Sequence, residues 1–178
     1  MSGHSKWSNI HRKKEANDKV RSGIFTKLAA AIVVAVRKGG GIGDTDKNFA
    51  LRLAVEKARA VSMPKEIIDR AIARGMGKSG EAEMVELLIE GHGPSGLACM
   101  IECITDNRNR TVNEVRLILE KHGWRMGEMG SAAYLFKHES DGYTALYPVE
   151  ISERDRVDEL LGSVADHPDV QEVYVNLV

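Results

Sequence analysis

The sequence predicts an α+β protein, in which a small helical domain precedes an α/β sandwich domain of β-β-α-β-α-β order, ferredoxin-like in shape. Apolar residues recur at helical spacing up to residue 74, whereas beyond residue 84 short β-type runs alternate with helical segments. The charge also changes along the chain. Residues 1–78 contain 17 Lys and Arg against 7 Asp and Glu, and residues 79–178 contain 8 against 19. We therefore predict one domain over 1–80 and an acidic second domain over 81–178.

The first domain is predicted to contain three helices, over 22–38, about 46–60 and 63–74. The first helix ends at the glycines of GGGIGD, and its apolar face consists of Phe25, Leu28, Ile32 and Val36. The second helix is predicted to turn Leu53, Ala54 and Val61 toward the core. Ser62 is predicted to cap the third helix.

The second domain begins with two β-type runs, MVELLIEGHGP and GLACMIECIT, and the GHGPSG between them predicts a hairpin. The helix RTVNEVRLILEKHG, the strand SAAYLF, the helix SERDRVDELLGSVAD and the strand VQEVYVNLV follow in that order. We expect both helices on one face of a largely antiparallel sheet. Cys99 and Cys103 lie too far apart on one strand for a disulfide, so we expect buried thiols and a reducing compartment.

Composition and motifs argue against membrane, metal-binding and catalytic classes of protein. No run of about 18 apolar residues occurs and the N-terminus lacks the apolar core of a secretory signal, so we expect a cytoplasmic protein without a membrane partner. Histidines and cysteines lack metal-ligand spacing, and no nucleophile motif is present. We therefore expect no metal, cofactor, small-molecule substrate or catalytic residue. Gly77-Lys78-Ser79 lacks the remainder of a phosphate-loop motif and indicates a helix end followed by a linker.

The basic first segment carries the clearest functional signal, because Trp7 stands among cations. Residues 1–38 contain nine Lys and Arg against two Asp and Glu. Such cations neutralise phosphate, and an indole stacks on an unpaired base. Two alternatives stay open: Trp7 anchors the segment on the helical domain, or the oppositely charged halves of the chain attract each other. The predicted nucleic-acid-binding residues are Lys6, Trp7, His11, Arg12, Lys13, Lys14, Lys19, Arg21 and Lys27.

A second candidate contact is DNRNRT (106–111), where a strand is predicted to end and a helix to begin. The first turn of a helix offers free N–H groups and a positive dipole end to phosphate. Asn107, Arg108 and Arg110 are therefore predicted to add nucleic-acid contacts. The alternative is local, with Asp106 or Asn109 capping the helix and the arginines paired with nearby carboxylates.

Together, SGHSKWSNIHRKK, GIFTKL, RAIARG, EGHGPSG, IECITDNRNRT, GSAAYLF and DVQEVYVN resemble the YebC/PmpR family. Members of that family include the mitochondrial translational activator of cytochrome oxidase. The resemblance covers about 1–137 and resumes at about 168–176. It implies a helical N-terminal domain followed by two α/β domains, no catalytic residues, and nucleic-acid contacts from the basic arm and first helix. The residues carried over are Lys6, Trp7, Arg12, Lys13, Lys14, Arg21 and Lys27.

The chain departs from this family in one respect, because only a short link near 138–151 stands where the third domain is usually inserted. We expect a monomeric, non-enzymatic, nucleic-acid-binding regulator of gene expression. The resemblance implies a translation factor that associates with the ribosome or rRNA and relieves stalling at proline-rich stretches. The alternative that it implies is a DNA-binding transcriptional regulator. A protein-interaction module that docks an acidic partner is the alternative of another class.

Overall fold

A computed structural model of the chain describes residues 18–139, 142–152 and 154–178, with the backbone alone for Asp18 and Lys19. The described residues divide into two units. The helical unit contains the residues up to 86 together with 104–107, and the α+β unit contains 87–103 and those from 108 to 178. The α+β class predicted from the sequence is confirmed.

Three helices make up the helical unit: α1 (Asp18–Lys38), α2 (Phe49–Ala60) and α3 (Lys65–Gly75). The predicted apolar face of α1 is confirmed, because Ile32 and Val36 are fully buried and Phe25 and Leu28 pack against the same core. The glycines after α1 adopt positive φ angles at Gly40 and Gly41, which is why a glycine-rich stretch ends this helix.

Of the predicted inward face of α2, Ala54 packs against the core, but the prediction is wrong for Leu53 and Val61. Leu53 is 43% exposed and Val61 is 38% exposed, and the buried residues are Leu51, Val55 and Ala58. The reason is Asn48, whose Oδ1 accepts a hydrogen bond from the Leu51 N–H at 3.0 Å while its Nδ2 donates to the Ala35 carbonyl. This cap begins α2 at Phe49, three residues later than predicted, and sets which face is buried.

The predicted cap of the third helix is also wrong. Ser62 has a φ of 58° and lies in the turn before α3, whose first residue follows Pro64. Pro64 provides no side-chain cap, but its fixed φ suits the entry to a helix. After α3, Gly77-Lys78-Ser79 is non-helical, which agrees with the predicted helix end and linker.

Gly75 lies where α3 packs closely on α1. A Cβ at this position would lie 2.6 Å from the Val36 Cβ and 2.9 Å from the Val33 carbonyl oxygen. We expect Gly75→Ala to lower the free energy of unfolding by about 1–3 kcal/mol, since the core must shift to admit the methyl group. Urea denaturation measures the change. Gly23→Ala is the matched control: its Cβ meets nothing within 4 Å, so a loss of stability there would contradict the packing argument.

The second half of the chain contains two strands, a helix, three strands, a second helix and a last strand, all in the α+β unit except residues 85–86 and 104–105 at the ends of the first two strands. In chain order these are β1 (Val85–His92), β2 (Ala98–Thr105), α4 (Arg108–Lys121), β3 (Arg125–Met126), β4 (Phe136–Glu139), β5 (Gly142–Ala145), α5 (Arg154–Ala165) and β6 (Val170–Val175). The main sheet has the order β3-β1-β2-β6, with β3 antiparallel to β1 and β6 antiparallel to β2. β1 and β2 form the predicted hairpin, closed by the Gly93 N–H, which donates to the Leu97 carbonyl at 2.8 Å.

Both helices of this unit pack on one face of the sheet, as predicted. The apolar stripe of α5 is fully buried there and consists of Val157, Leu160, Leu161 and Val164. The opposite face of the sheet carries Met100 and Tyr174, and the two-stranded hairpin of β4 and β5 covers them through Phe136 and Tyr143. This hairpin was not predicted, and β5 lies in the segment interpreted as a short link.

The prediction of a strand over SAAYLF (131–136) is wrong. Ala133–Leu135 forms a 3₁₀ turn, strand β4 starts only at Phe136, and the third strand of the main sheet is the short β3. The physical reason is Glu90, a buried side chain on β1. Its carboxylate accepts hydrogen bonds from the N–H groups of Gly130 (2.6 Å), Ala132 (2.5 Å) and Ala133 (3.0 Å), which holds this segment in a turn.

Both cysteines are buried in β2, as predicted, and do not form a disulfide. Burial raises the pKa of the Cys99 thiol to about 12. The thiolate is the reactive form of cysteine, so Cys99 acts as a small core residue rather than as a nucleophile.

Candidate nucleic-acid interface

The predicted basic arm lies mostly outside the described residues. Lys6, Trp7, His11, Arg12, Lys13 and Lys14 all fall in the undescribed segment, and Lys19 is described by its backbone alone. Of the predicted contacts on α1, Arg21 is exposed, with its guanidinium carbon 5.9 Å from the centroid of the Phe25 ring. That distance is within the range of a cation–π contact. Lys27 is half-buried on the same helix.

Several further cations of the helical unit are exposed on α2, on α3 and just after α3. None of them forms an ion pair with another residue in the described part of the chain. These residues are Lys57, Arg59, Lys65, Arg70 and Lys78. Lys57 and Arg59 occupy the last turn of α2, and Lys65 is the first residue of α3, so we call these three the basic corner. The prediction of nucleic-acid-binding residues from the sequence did not include any of the five.

Other cations of the helical unit are already paired. Arg37 pairs with Glu83 and donates to the Met84 carbonyl at 2.8 Å, and Lys38 contacts Glu86 at 2.8 Å. Arg74 contacts Glu81 at 3.0 Å and Asp106 at 3.7 Å. The carboxylates that follow α3 therefore neutralise these cations but leave the basic corner unpaired. Positive charges in the last turn of a helix also interact favourably with its dipole, which is a structural reason for Lys57 and Arg59.

DNRNRT lies at a strand-to-helix junction, as predicted, because β2 ends at Thr105 and α4 begins at Arg108. The Asn107 N–H donates to the Thr105 hydroxyl at 2.9 Å. Arg110 contacts the Asp169 carboxylate at 2.8 Å, which agrees with the alternative that the arginines pair with carboxylates, although Asp169 is distant in the chain. Arg108 is exposed and, within the described residues, has no carboxylate partner.

Asp169 ties the start of α4 to the turn before β6. It accepts a hydrogen bond from the Thr111 hydroxyl at 2.6 Å, in addition to its ion pair with Arg110. Its own N–H donates to Nδ1 of His167, whose Nε2 lies 2.8 Å from a Glu114 carboxylate oxygen. Because Nδ1 accepts, Nε2 carries the hydrogen that reaches Glu114. The pairs that join α4 to this turn are 53 to 59 residues apart, so local spacing does not predict the network.

The described residues also bear on a membrane span and on a metal site. None of the helices there has the length and apolar character needed to cross a membrane. Within the same residues, no group of three or more His, Cys, Asp or Glu side chains is arranged to hold a metal ion.

Comparison with known families identifies the relatives of this chain. Residues 5–78 match the model of the TACO1/YebC protein N-terminal domain, and residues 84–141 match the model of the TACO1/YebC second and third domain. The chain belongs to the TACO1/YebC family. Residues 142–178 lie beyond both matches, although they supply β5, α5 and β6 of the α+β unit.

Curated TACO1/YebC relatives have names that describe regulation. A "probable transcriptional regulatory protein" of Chloroflexus aurantiacus is 56% identical over 137 residues, which are 77% of this chain and 54% of the relative. The "probable transcriptional regulatory protein YrbC" of Bacillus subtilis is 49% identical over 77% of this chain and 56% of its own length. A "probable transcriptional regulatory protein" of Herpetosiphon aurantiacus is 46% identical over 96% of this chain and 66% of its own length. The chain spans about half the length of most of these TACO1/YebC relatives.

A solved structure has the same fold. The crystal structure of the conserved hypothetical protein Aq1575 from Aquifex aeolicus matches with a TM-score of 0.83 and 28% sequence identity. The match covers 93% of this chain and 93% of that one. The likeness in fold therefore extends over most of both chains.

Proposed function

We propose that the helical unit binds the phosphate backbone of a nucleic acid and that the chain is a non-enzymatic regulator of gene expression. The observation that carries this proposal is the set of exposed cations without an ion-pair partner: Arg21, Lys57, Arg59, Lys65, Arg70 and Lys78, within the described residues. Unpaired surface cations are available to replace the counterions of phosphate groups. The net charges of +10 over 1–78 and −11 over 79–178 direct such a ligand to the first half.

The names of the relatives favour DNA and transcription as the first candidate role. The second candidate is a translation factor on the ribosome or rRNA, which the resemblance to the family of the cytochrome oxidase activator implies. Contacts to phosphate carry no base sequence, so the cations support both roles equally. A monomeric state, a cytoplasmic location and the absence of a small-molecule substrate belong to the same proposal.

The basic arm belongs to this proposed surface on the strength of its sequence. Lys6, His11, Arg12, Lys13 and Lys14 extend the cationic run into α1. The contact of Asn107, Arg108 and Arg110 with nucleic acid stays a prediction from the sequence. We do not include these three residues in the proposed phosphate-binding surface. Arg110 already has a carboxylate partner in Asp169, and Arg108 lines a groove beside β1.

Crosslinking in living cells, followed by sequencing of the attached nucleic acid, separates the two roles. Reads concentrated at promoters support the transcriptional regulator, and reads concentrated at a few rRNA positions support the translation factor. A protein-interaction module that docks an acidic partner predicts neither pattern. The control is a Lys57→Glu, Arg59→Glu, Lys65→Glu variant. If the unaltered chain crosslinked to nucleic acid no more than this variant does, the proposal would be contradicted.

Trp7 provides a separate test of the arm. We expect Trp7→Ala to weaken binding to single-stranded nucleic acid about 5- to 150-fold, because stacking of one base contributes about 1–3 kcal/mol. Anisotropy of a labelled oligonucleotide measures the affinity, and thermal unfolding measures the stability. A loss of stability at unchanged affinity would instead show that Trp7 anchors the arm. Trp124, the second tryptophan, is 3% exposed, so quenching of fluorescence by bound nucleic acid reports on Trp7.

A further inference from the structure

The outer edge of β1 is open over part of its length. β3 pairs with β1 only at Gly91 and His92, and the Gly127 N–H then donates to the Glu90 carbonyl at 2.8 Å. Main-chain groups of alternate residues in a strand point to the same side. The N–H and carbonyl of Leu88 therefore point to this same edge, where no backbone group of the described residues pairs with them. An unpaired edge of this kind is a template for another strand.

A half-open groove lies between this edge and α4. Its volume is about 130 Å³, well below the roughly 300–1,000 Å³ of sites for small molecules. It is lined by Leu87, Val112 and Met126, and Met129 at its rim is 86% exposed. Methionine adapts its shape to different apolar partners. The groove therefore fits an apolar side chain of a larger molecule better than a whole small ligand.

One cation lies at the groove. Arg108 lines it, is exposed, and has no carboxylate partner within the described residues. It is also the first residue of α4, so the positive end of the helix dipole adds to its charge. Val112 follows it by one helical turn and lies on the same side of α4. Glu90, the acidic residue at the groove, has its carboxylate turned to the N–H groups of Gly130, Ala132 and Ala133.

We propose that this groove binds an extended segment of another protein, which adds a strand to the edge of β1 at Leu88 and places an acidic side chain or a C-terminal carboxylate on Arg108. Strand addition uses main-chain hydrogen bonds for affinity and side-chain pockets for specificity. Leu88 offers the main-chain donor and acceptor. The apolar wall and Arg108 select an apolar residue close to a carboxylate.

The alternation of side chains along a strand determines which residues of the bound segment face the groove. The residue opposite Leu88 shares the sheet face on which Leu88 lies, so its two neighbours point to the side of α4. There, one neighbour contacts Val112 and Met126, and a carboxylate on the other neighbour reaches Arg108. We therefore expect the bound segments to combine a β-branched or aromatic residue with Asp, Glu or a free C-terminus two residues away.

The test uses a phage library of random linear dodecapeptides with free C-termini, selected on the full chain. Enriched peptides are synthesised with a fluorescent label, and their affinities are measured by anisotropy. We expect Arg108→Glu to weaken binding at least tenfold, and a peptide with Lys in place of its acidic residue to regain affinity for this variant. Lys121→Glu, an exposed cation about 20 Å along α4, is the matched control and is expected to bind as the unaltered chain does.

Leu88→Pro tests the main-chain contact separately. Proline removes only the N–H that points to the open edge, a position where strands tolerate it. We expect at least a tenfold loss of peptide affinity with an unchanged circular dichroism spectrum, and N-methylation of the peptide residue opposite Leu88 to cause the same loss on the unaltered chain. Failure to enrich any peptide would overturn the proposal, as would full affinity in Arg108→Glu. Loss of nucleic-acid affinity in Arg108→Glu at unchanged peptide affinity would assign Arg108 to phosphate and also overturn it.

Discussion

A Lys57→Glu, Arg59→Glu variant is expected to bind nucleic acid at least about tenfold more weakly than the unaltered chain. Both side chains are exposed at the basic corner, with no ion pair to another described residue. Each lost phosphate contact makes the slope of log affinity against log salt concentration shallower by about 0.9 on double-stranded DNA, so this variant should lose about 2 from that slope. Anisotropy titrations of a labelled duplex at several salt concentrations measure both quantities.

The matched control places the same change in charge on the other unit. Lys121 and Arg125 are exposed in the α+β unit, and Lys121→Glu, Arg125→Glu alters the net charge of the chain by the same amount. We expect this variant to retain most of the affinity and the slope. Equal losses in both variants would mean that net charge alone drives binding, which contradicts a surface on the helical unit. From its sequence, reversal at Lys13 and Lys14 is expected to act as the change at Lys57 and Arg59 does.

Glu90→Ala is expected to lower the free energy of unfolding by about 3 kcal/mol or more. Glu90 is 4% exposed, and its carboxylate accepts three backbone hydrogen bonds from Gly130, Ala132 and Ala133. Alanine leaves these N–H groups without an acceptor, and an unsatisfied buried donor costs about 1–3 kcal/mol. The midpoint of urea denaturation measures the loss.

Glu120→Ala is the control for this prediction, because Glu120 is an exposed carboxylate on α4. We expect a change within about 0.5 kcal/mol there, as is usual for surface substitutions. Glu90→Gln keeps the size of the side chain but presents an NH₂ group to N–H donors, so we expect an intermediate loss. If Glu90→Ala were as stable as Glu120→Ala, the carboxylate would not be holding the turn at 130–133.

Elements with strong periodicity were predictable from the sequence. The apolar face of α1, the hairpin of β1 and β2, and the buried stripe of α5 all follow from local spacing and are observed. β3 could not be predicted, because two residues carry no period and this strand exists only through its pairing with Gly91 and His92. The 3₁₀ turn in SAAYLF depends on Glu90, about 40 residues earlier.

The positive charge of the helical unit was predictable from the sequence, but which of its cations lack an ion-pair partner was not. The excess of positive charge in the first half is a property of composition. Which cations remain unpaired depends on contacts distant in the chain, such as Lys38 with Glu86 and Arg110 with Asp169. Lys57 and Arg59 differ from Lys38 and Arg110 in having no carboxylate partner among the described residues, and no local sequence pattern indicates this difference. The role of Glu90 in holding the turn had one local sign in the sequence, which is that this glutamate interrupts the apolar run of β1.

The salt dependence of binding by the unaltered chain tests the central claim most directly. Affinities for a DNA duplex and for a single-stranded RNA are measured by anisotropy between 50 and 200 mM salt, a range chosen because the effect there is large. Engagement of three or more phosphates by the helical unit predicts a slope of about −3 or steeper on the duplex. A slope shallower than about −1 on both ligands, or no measurable binding at 50 mM salt, would contradict the account.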